Sequence, residues 1–112
     1  MKKTMTFKQL KTVDVEAMEH WDEYAGNSYF SAIITLNEGM SNQEKILLPF
    51  QYGYGSHFEY EAKTELQKRF PRTKWAKDNF PMWGIRQFGK KYTANKIEGK
   101  SERACKRFVK GA

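Results

Sequence analysis

The sequence predicts an α+β fold: two β-hairpins with helices packed against them, in the order α-β-β-α-β-β-α. Three observations carry that prediction. Apolar residues recur at helical spacing in three segments, short aromatic and β-branched runs lie between them, and those runs come in pairs separated by turn residues. The chain has 112 residues, 39% apolar and 15% aromatic, which suits one domain over residues 1–112 and is too rich in large rings for a disordered polymer. Residues 1–4 (Met-Lys-Lys-Thr) read as a loose N-terminus.

Thr4–Val13 fits strand and helix equally well. Asp14 looks like an N-cap, with Val15, Met18, Trp21 and Tyr24 following at helical spacing and Gly26-Asn27 as the stop, so Asp14–Ala25 is expected to be a helix. Tyr29–Leu36 is aromatic and β-branched, and Lys45–Tyr52 forms a second run after the turn-rich segment 37–42. These make a hairpin, and Pro49 places the second strand at an edge or a bulge. Ser56 and Glu59 have capping-box spacing, and Phe58, Ala62, Leu66 and Phe70 recur every four residues. Acids open this Ser56–Phe70 helix, Lys68 and Arg69 close it, and Pro71 stops it.

Residues 71–82 read as irregular, with Trp75, Phe80 and Trp83 packing back on the core. Trp83–Phe88 and Tyr92–Ile97, around Gly89-Lys90-Lys91, read as a second hairpin. A last helix starts near Ser101. Its apolar stripe is Ala104, Cys105, Phe108 and Val109, with Arg103, Arg107 and Lys110 on the opposite side.

The net charge is +7 and unevenly placed. Residues 1–62 hold five lysines and nine acids, and residues 63–112 hold fifteen Lys/Arg and four acids. A basic half of this kind attracts phosphate backbones or acidic protein faces, although excess lysine also serves solubility. Cys105 is the sole cysteine, the first twenty residues contain no signal-peptide core, and no apolar run nears the ~20 residues that span a bilayer. The expectation is a cytoplasmic protein with no membrane partner.

Catalytic motifs are missing. His20 and His57 lie far from Cys105 in sequence, Ser56 has no nucleophile-elbow context, and no Cys/His spacing suits zinc. The expectation is a non-enzyme with no catalytic residues, metal or cofactor; a small metal-dependent enzyme drawing ligands from distant positions is the third reading. Tyr52-Gly-Tyr-Gly-Ser56 lies between strand and helix, where anions can bind helix NH groups. It lacks the P-loop Lys-Ser/Thr ending, and Glu59 and Glu61 in the first turn repel a phosphate, so a tight strand-to-helix turn is the better reading; the alternative is an exposed pair of Tyr52 and Tyr54 suited to base stacking or a protein contact. The candidate binding residues are Lys68, Arg69, Arg72, Lys74, Arg86, Lys90, Lys91, Arg103, Arg107 and Lys110, with Tyr52 and Tyr54. Cations hold phosphates and rings stack on bases or anchor protein contacts.

Two resemblances add to this. The run Gly53-Tyr-Gly-Ser-His-Phe-Glu-Tyr-Glu-Ala-Lys63 after a hairpin is similar to the last strand-to-helix junction of double-stranded RNA-binding domains, but Phe58 and Glu59 stand where that family has a phosphate-binding lysine pair. The segments SYFSAIIT and LPFQYGYGSHFEYEA resemble small proteins carried by tailed bacteriophages. That second resemblance implies a host-takeover or anti-defence role, such as an anti-CRISPR or restriction inhibitor. The expected function is therefore non-enzymatic binding of DNA, RNA or a nucleoprotein through the basic C-terminal half. The alternative is stoichiometric inhibition of a nucleic-acid-binding bacterial protein complex, with the acidic Asp14–Ala25 helix mimicking phosphate.

Overall fold

Val13, Val15 and Ala17 alternate with Asp14, Glu16 and Met18, and this period of two forms an eleven-residue strand, Thr12–Asp22 (β1), in a computed structural model that describes residues 5–111. The helix expected over Asp14–Ala25 is thus corrected to a strand. Both periodicities fit the segment, and the backbone ladders available on either side select the extended form. On one side β1 pairs antiparallel with Asn27–Leu36 (β2), from Val13↔Leu36 to Asp22↔Asn27. On the other it pairs parallel with Lys91–Glu98 (β4), from Thr12↔Lys91 to Glu19↔Glu98.

The first hairpin stands. β2 pairs antiparallel with Glu44–Tyr52 (β3), and the ladder shifts register between Phe30 and Ala32, leaving Pro49 and Phe50 opposite Ser31. β3 is an edge of the sheet, whose order is β3-β2-β1-β4, so Pro49 sits in an irregularity on an edge strand. The second hairpin is corrected. Met82–Phe88 is a 3-10 helix with Met82 and Ile85 buried at a spacing of three, and β4 joins the far edge beside β1. The chain reaches that edge through the helices His57–Arg69 (α1) and Lys74–Lys77 (α2), and it ends in Glu102–Lys110 (α3). The observed order is therefore β-β-β-α-α-β-α rather than α-β-β-α-β-β-α. The expectation for residues 1–4 lies outside the described residues.

α1 packs on one face of the sheet. Phe58, Ala62, Leu66 and Phe70 join Val13, Val15, Ala17, Phe30, Ala32, Ile34, Leu36 and Leu48 in one apolar cluster. Trp75, Met82 and Ile85 close it, and each such side chain contributes roughly 1.5–3 kcal/mol on burial. Trp83, expected to pack inward, is 55% exposed. The capping box is also corrected. The Ser56 side chain makes no cap hydrogen bond, and Glu59 accepts the Tyr92 hydroxyl at 2.5 Å instead. α3 lies on the opposite face. Ser31 pairs with Met18, and both point away from the α1 cluster; Ser31 Oγ donates to the Cys105 carbonyl at 2.5 Å, and Cys105 Sγ lies 3.5 Å from the Met18 carbonyl. The last helix starts near Ser101 as expected, and the Ser101 hydroxyl caps it, accepting from the Ala104 NH at 3.1 Å. No helix among the described residues is long and apolar enough to cross a membrane.

Candidate binding surface

The end of β1, the start of β2, the end of β3 and the start of α1 meet at one end of the sheet, where Asp22 pairs with Asn27 and Tyr29 with Tyr52. The turn after β1 is held by the Asp22 carboxylate, which accepts from the Tyr24 and Ala25 NH groups at 3.0 and 3.2 Å. That leaves Trp21 and Tyr24 exposed. The glycine loop 53–56 is fastened to the sheet. Gly53 donates to the Ser28 carbonyl, Gly55 donates to Glu19 Oε1 at 3.0 Å, and Lys96 bridges Glu19 Oε2 and the Gly55 carbonyl at 3.2 and 3.3 Å. Glu19 thus takes the Gly55 NH that an anion would need, which favours the tight-turn reading of this loop.

The loop holds Tyr52 and Tyr54 outward, 56% and 69% exposed. They line two adjoining hollows. One, of about 230 Å³, also takes in Trp21 and Gly26. The other, of about 550 Å³, continues along Gly53, Gly55, Ser56, His57 and Tyr60. Ser56 and Tyr60 then pass into a third groove of about 210 Å³, lined by Glu59, Lys63, Pro81, Met82 and Trp83. In the other direction Tyr52 meets the edge of Tyr29 at 5.9 Å, Tyr29 stacks on Phe50 at 5.3 Å, and the Lys106 ammonium of α3 lies 5.7 Å from the Phe50 ring. The rings form one track from α3 around the end of the sheet to the 3-10 helix.

The expected cations do not converge. Arg69 forms a two-pronged pair with Glu44 at 2.9 and 3.0 Å and donates to the Met5 carbonyl; the Glu44 hydrogen bond holds its guanidinium above the ordinary value. Arg86 donates to the Tyr92 carbonyl at 2.8 Å and lies over the Tyr92 ring. Lys90 donates to the Phe7 carbonyl at 2.7 Å, and burial followed by the nearby Lys11 lowers its pKa. These three serve the fold. Lys68 pairs with Glu65 and Lys74 with Asp78, while Arg72 and Lys91 are exposed. Lys68 lies in the last turn of α1, and Arg72 and Lys74 follow it in the chain, beside Trp75 of the main apolar cluster. Arg103, Arg107 and Lys110 are exposed along α3, and Lys106, which also pairs with Glu102, joins them.

Sequence reasoning missed Trp21, Tyr29, Phe50, Tyr60, Lys63 and Trp83. Trp21 shares the odd-numbered parity of Val13, Val15 and Ala17, and a strand reading would have carried it past the core to the sheet's end. The acids Asp14, Glu16, Glu19, Asp22 and Glu23 do not share a helix face. Asp14 accepts the Thr93 hydroxyl, Glu19 binds the glycine loop, and Asp22 holds the turn. His57 stacks on Tyr60 and pairs with Glu61 at 3.2 Å, and His20 Nδ1 lies 3.3 Å from the Gly99 carbonyl. Cys105 is buried, and burial raises its thiol pKa, which disfavours the reactive thiolate. Among the described residues no three His, Cys, Asp or Glu side chains stand together as a metal-ligand group.

No family model, curated protein or solved structure matches this chain.

Proposed function

We propose that this chain is a non-enzymatic binding protein that takes up single-stranded nucleic acid, with bases lying along the aromatic track and phosphates drawn by the cations of α3. One observation carries the reading: half-buried Phe50 and Tyr29, beside Lys106 of α3, lead to the exposed rings of Tyr52, Tyr54, Tyr60 and Trp83, which line adjoining hollows. Every base has a π-face, so such a platform binds strands with little regard to sequence, while a duplex hides its faces. The exposed Arg103, Arg107 and Lys110 supply the electrostatic part. A cytoplasmic location fits this reading, since the lone cysteine forms no internal disulfide.

A titration of labelled oligo-dT, oligo-U and duplex DNA at several salt concentrations tests it. Wild type should prefer single strands. Tyr52→Ala and Tyr54→Ala should each cost about 1–3 kcal/mol of that binding without loss of fold. Binding no tighter than ~100 µM at physiological salt is ordinary non-specific attraction and would sink the proposal.

A second reading is favoured by the acids beside the rings. Glu23 flanks Tyr24, Glu61 pairs with His57, and Glu59 lines the Trp83 groove. A surface of exposed Trp and Tyr with mixed charge also suits a protein target, as in the phage-type inhibitor of a bacterial defence complex. In that case Trp21→Ala or Tyr54→Ala should abolish inhibition, while free nucleic acid binds only weakly.

A further inference from the structure

The groove between α1 and the Met82–Phe88 3-10 helix has an unusual floor. Lys63 is 8% exposed, and among the described residues its ammonium has one hydrogen-bond acceptor, Asn79 Oδ1 at 2.9 Å, and the face of Tyr60 at 4.9 Å. It makes no ion pair among the described residues. An ammonium carries three N–H donors; here one goes to a neutral oxygen and a ring face lies near the charge, so the other donors can serve an anion in the groove. The groove of about 210 Å³ opens beside it, with Tyr60 and the half-exposed Trp83 among its walls. Ser56, whose hydroxyl makes no cap bond, stands on its rim. Glu59 also lines it, its Oε1 accepting the Tyr92 hydroxyl; its Oε2, with no partner among the described residues, can accept from a sugar hydroxyl or a base amine.

We infer that this groove binds a nucleotide carrying a phosphate monoester. The phosphate takes the spare donors of Lys63 and the Ser56 hydroxyl, and the base lies against Tyr60 and Trp83. The nucleotide is either free or the phosphorylated end of a strand. The strand-end case rests on the single-stranded reading proposed above, and the free-nucleotide case does not.

Trp83 reports on the site. In a Trp21→Phe background it is the exposed indole, since Trp75 is fully buried. The test titrates AMP and adenosine against its fluorescence, with and without Lys63→Met. AMP should saturate, and adenosine should bind at least about tenfold more weakly, as loss of a charge-assisted contact implies. Lys63→Met should bring AMP down to the adenosine level. Calorimetry on Ser56→Ala and Trp83→Ala, both exposed positions, should show weaker AMP binding even if Lys63→Met does not fold. AMP binding equal to adenosine, or AMP binding unchanged in these variants, overturns the inference. Oligo-dT with a 5′-phosphate, a 3′-phosphate or neither identifies the source: a phosphate-dependent gain of about tenfold assigns a strand end, and AMP binding without that gain assigns a free nucleotide. Failure of every oligonucleotide to bind would count against the single-strand proposal alone, because the AMP arms are read separately.

Discussion

Gly53 and Gly55 do different work two residues apart. Gly53 has φ +156°, and a Cβ there would fall 2.5 Å from His57 Cδ2 and 2.7 Å from Phe30 Cε1. Gly55 has φ +63° with open space around it. Gly53→Ala must therefore push two rings as well as strain the backbone, and should cost about 3 kcal/mol or more. Gly55→Ala meets only the left-handed backbone penalty, about 1–2 kcal/mol. Denaturant unfolding of the two variants checks this, and equal losses would mean that the loop does not sit against Phe30. Tyr92 shows the same dependence on one neighbour. Burial first and the hydrogen bond to Glu59 second hold its phenol protonated well above the ordinary range, so the pair stays intact through the neutral region.

At the level of elements, the two long helices begin differently although both have a serine in the capping position. Ser101 has extended backbone angles and its hydroxyl accepts from the Ala104 NH, whereas Ser56 has φ −87° and ψ 8° and makes no such bond. Ser101→Ala should cost about 1 kcal/mol and Ser56→Ala close to nothing. Thermal melts of the pair decide the matter, and a Ser56→Ala loss as large as that of Ser101→Ala would restore the capping box. The helix over residues 57–69 was legible because Phe58, Ala62, Leu66 and Phe70 repeat every four residues and Pro71 ends it. Its cap was not legible, because Glu59 is drawn away by Tyr92, thirty-three residues distant, and no local spacing encodes that bond.

Across the whole molecule, the sheet divides the basic half of the chain. α1 carries Lys68 at its C-terminal end on the face with the main apolar cluster, and Arg72 and Lys74 follow directly, while α3 carries Arg103, Lys106, Arg107 and Lys110 on the other face. Arg103→Ala/Arg107→Ala/Lys110→Ala should weaken strand binding and flatten its salt dependence by about two log units per log unit, as expected for three lost phosphate contacts. Arg72→Glu/Lys74→Glu should change binding less than about threefold, a long-range effect largely screened at physiological salt. Equal loss in both variants would show that the strand wraps the molecule.

The sequence by itself determined the α+β class, the β2–β3 hairpin with Pro49 on its edge strand, α1 with its four-residue stripe, and α3 starting near Ser101. Each of these rests on interactions within a few residues or on a short turn. Tertiary structure decided whether residues 14–22 coil or extend, because their apolar pattern satisfies both periods and only the neighbouring strands complete their backbone hydrogen bonds. It also decided that Tyr92–Ile97 joins β1 in parallel instead of turning back on residues 83–88, since a parallel ladder is made between segments nearly eighty residues apart and leaves no local signature. The proposed binding surface belongs to that second group. Tyr52 and Tyr54 were legible from their glycine turn, but Trp21, Tyr60, Lys63 and Trp83 join them only because the strand ends and the start of α1 converge, and that convergence is a property of the packed sheet.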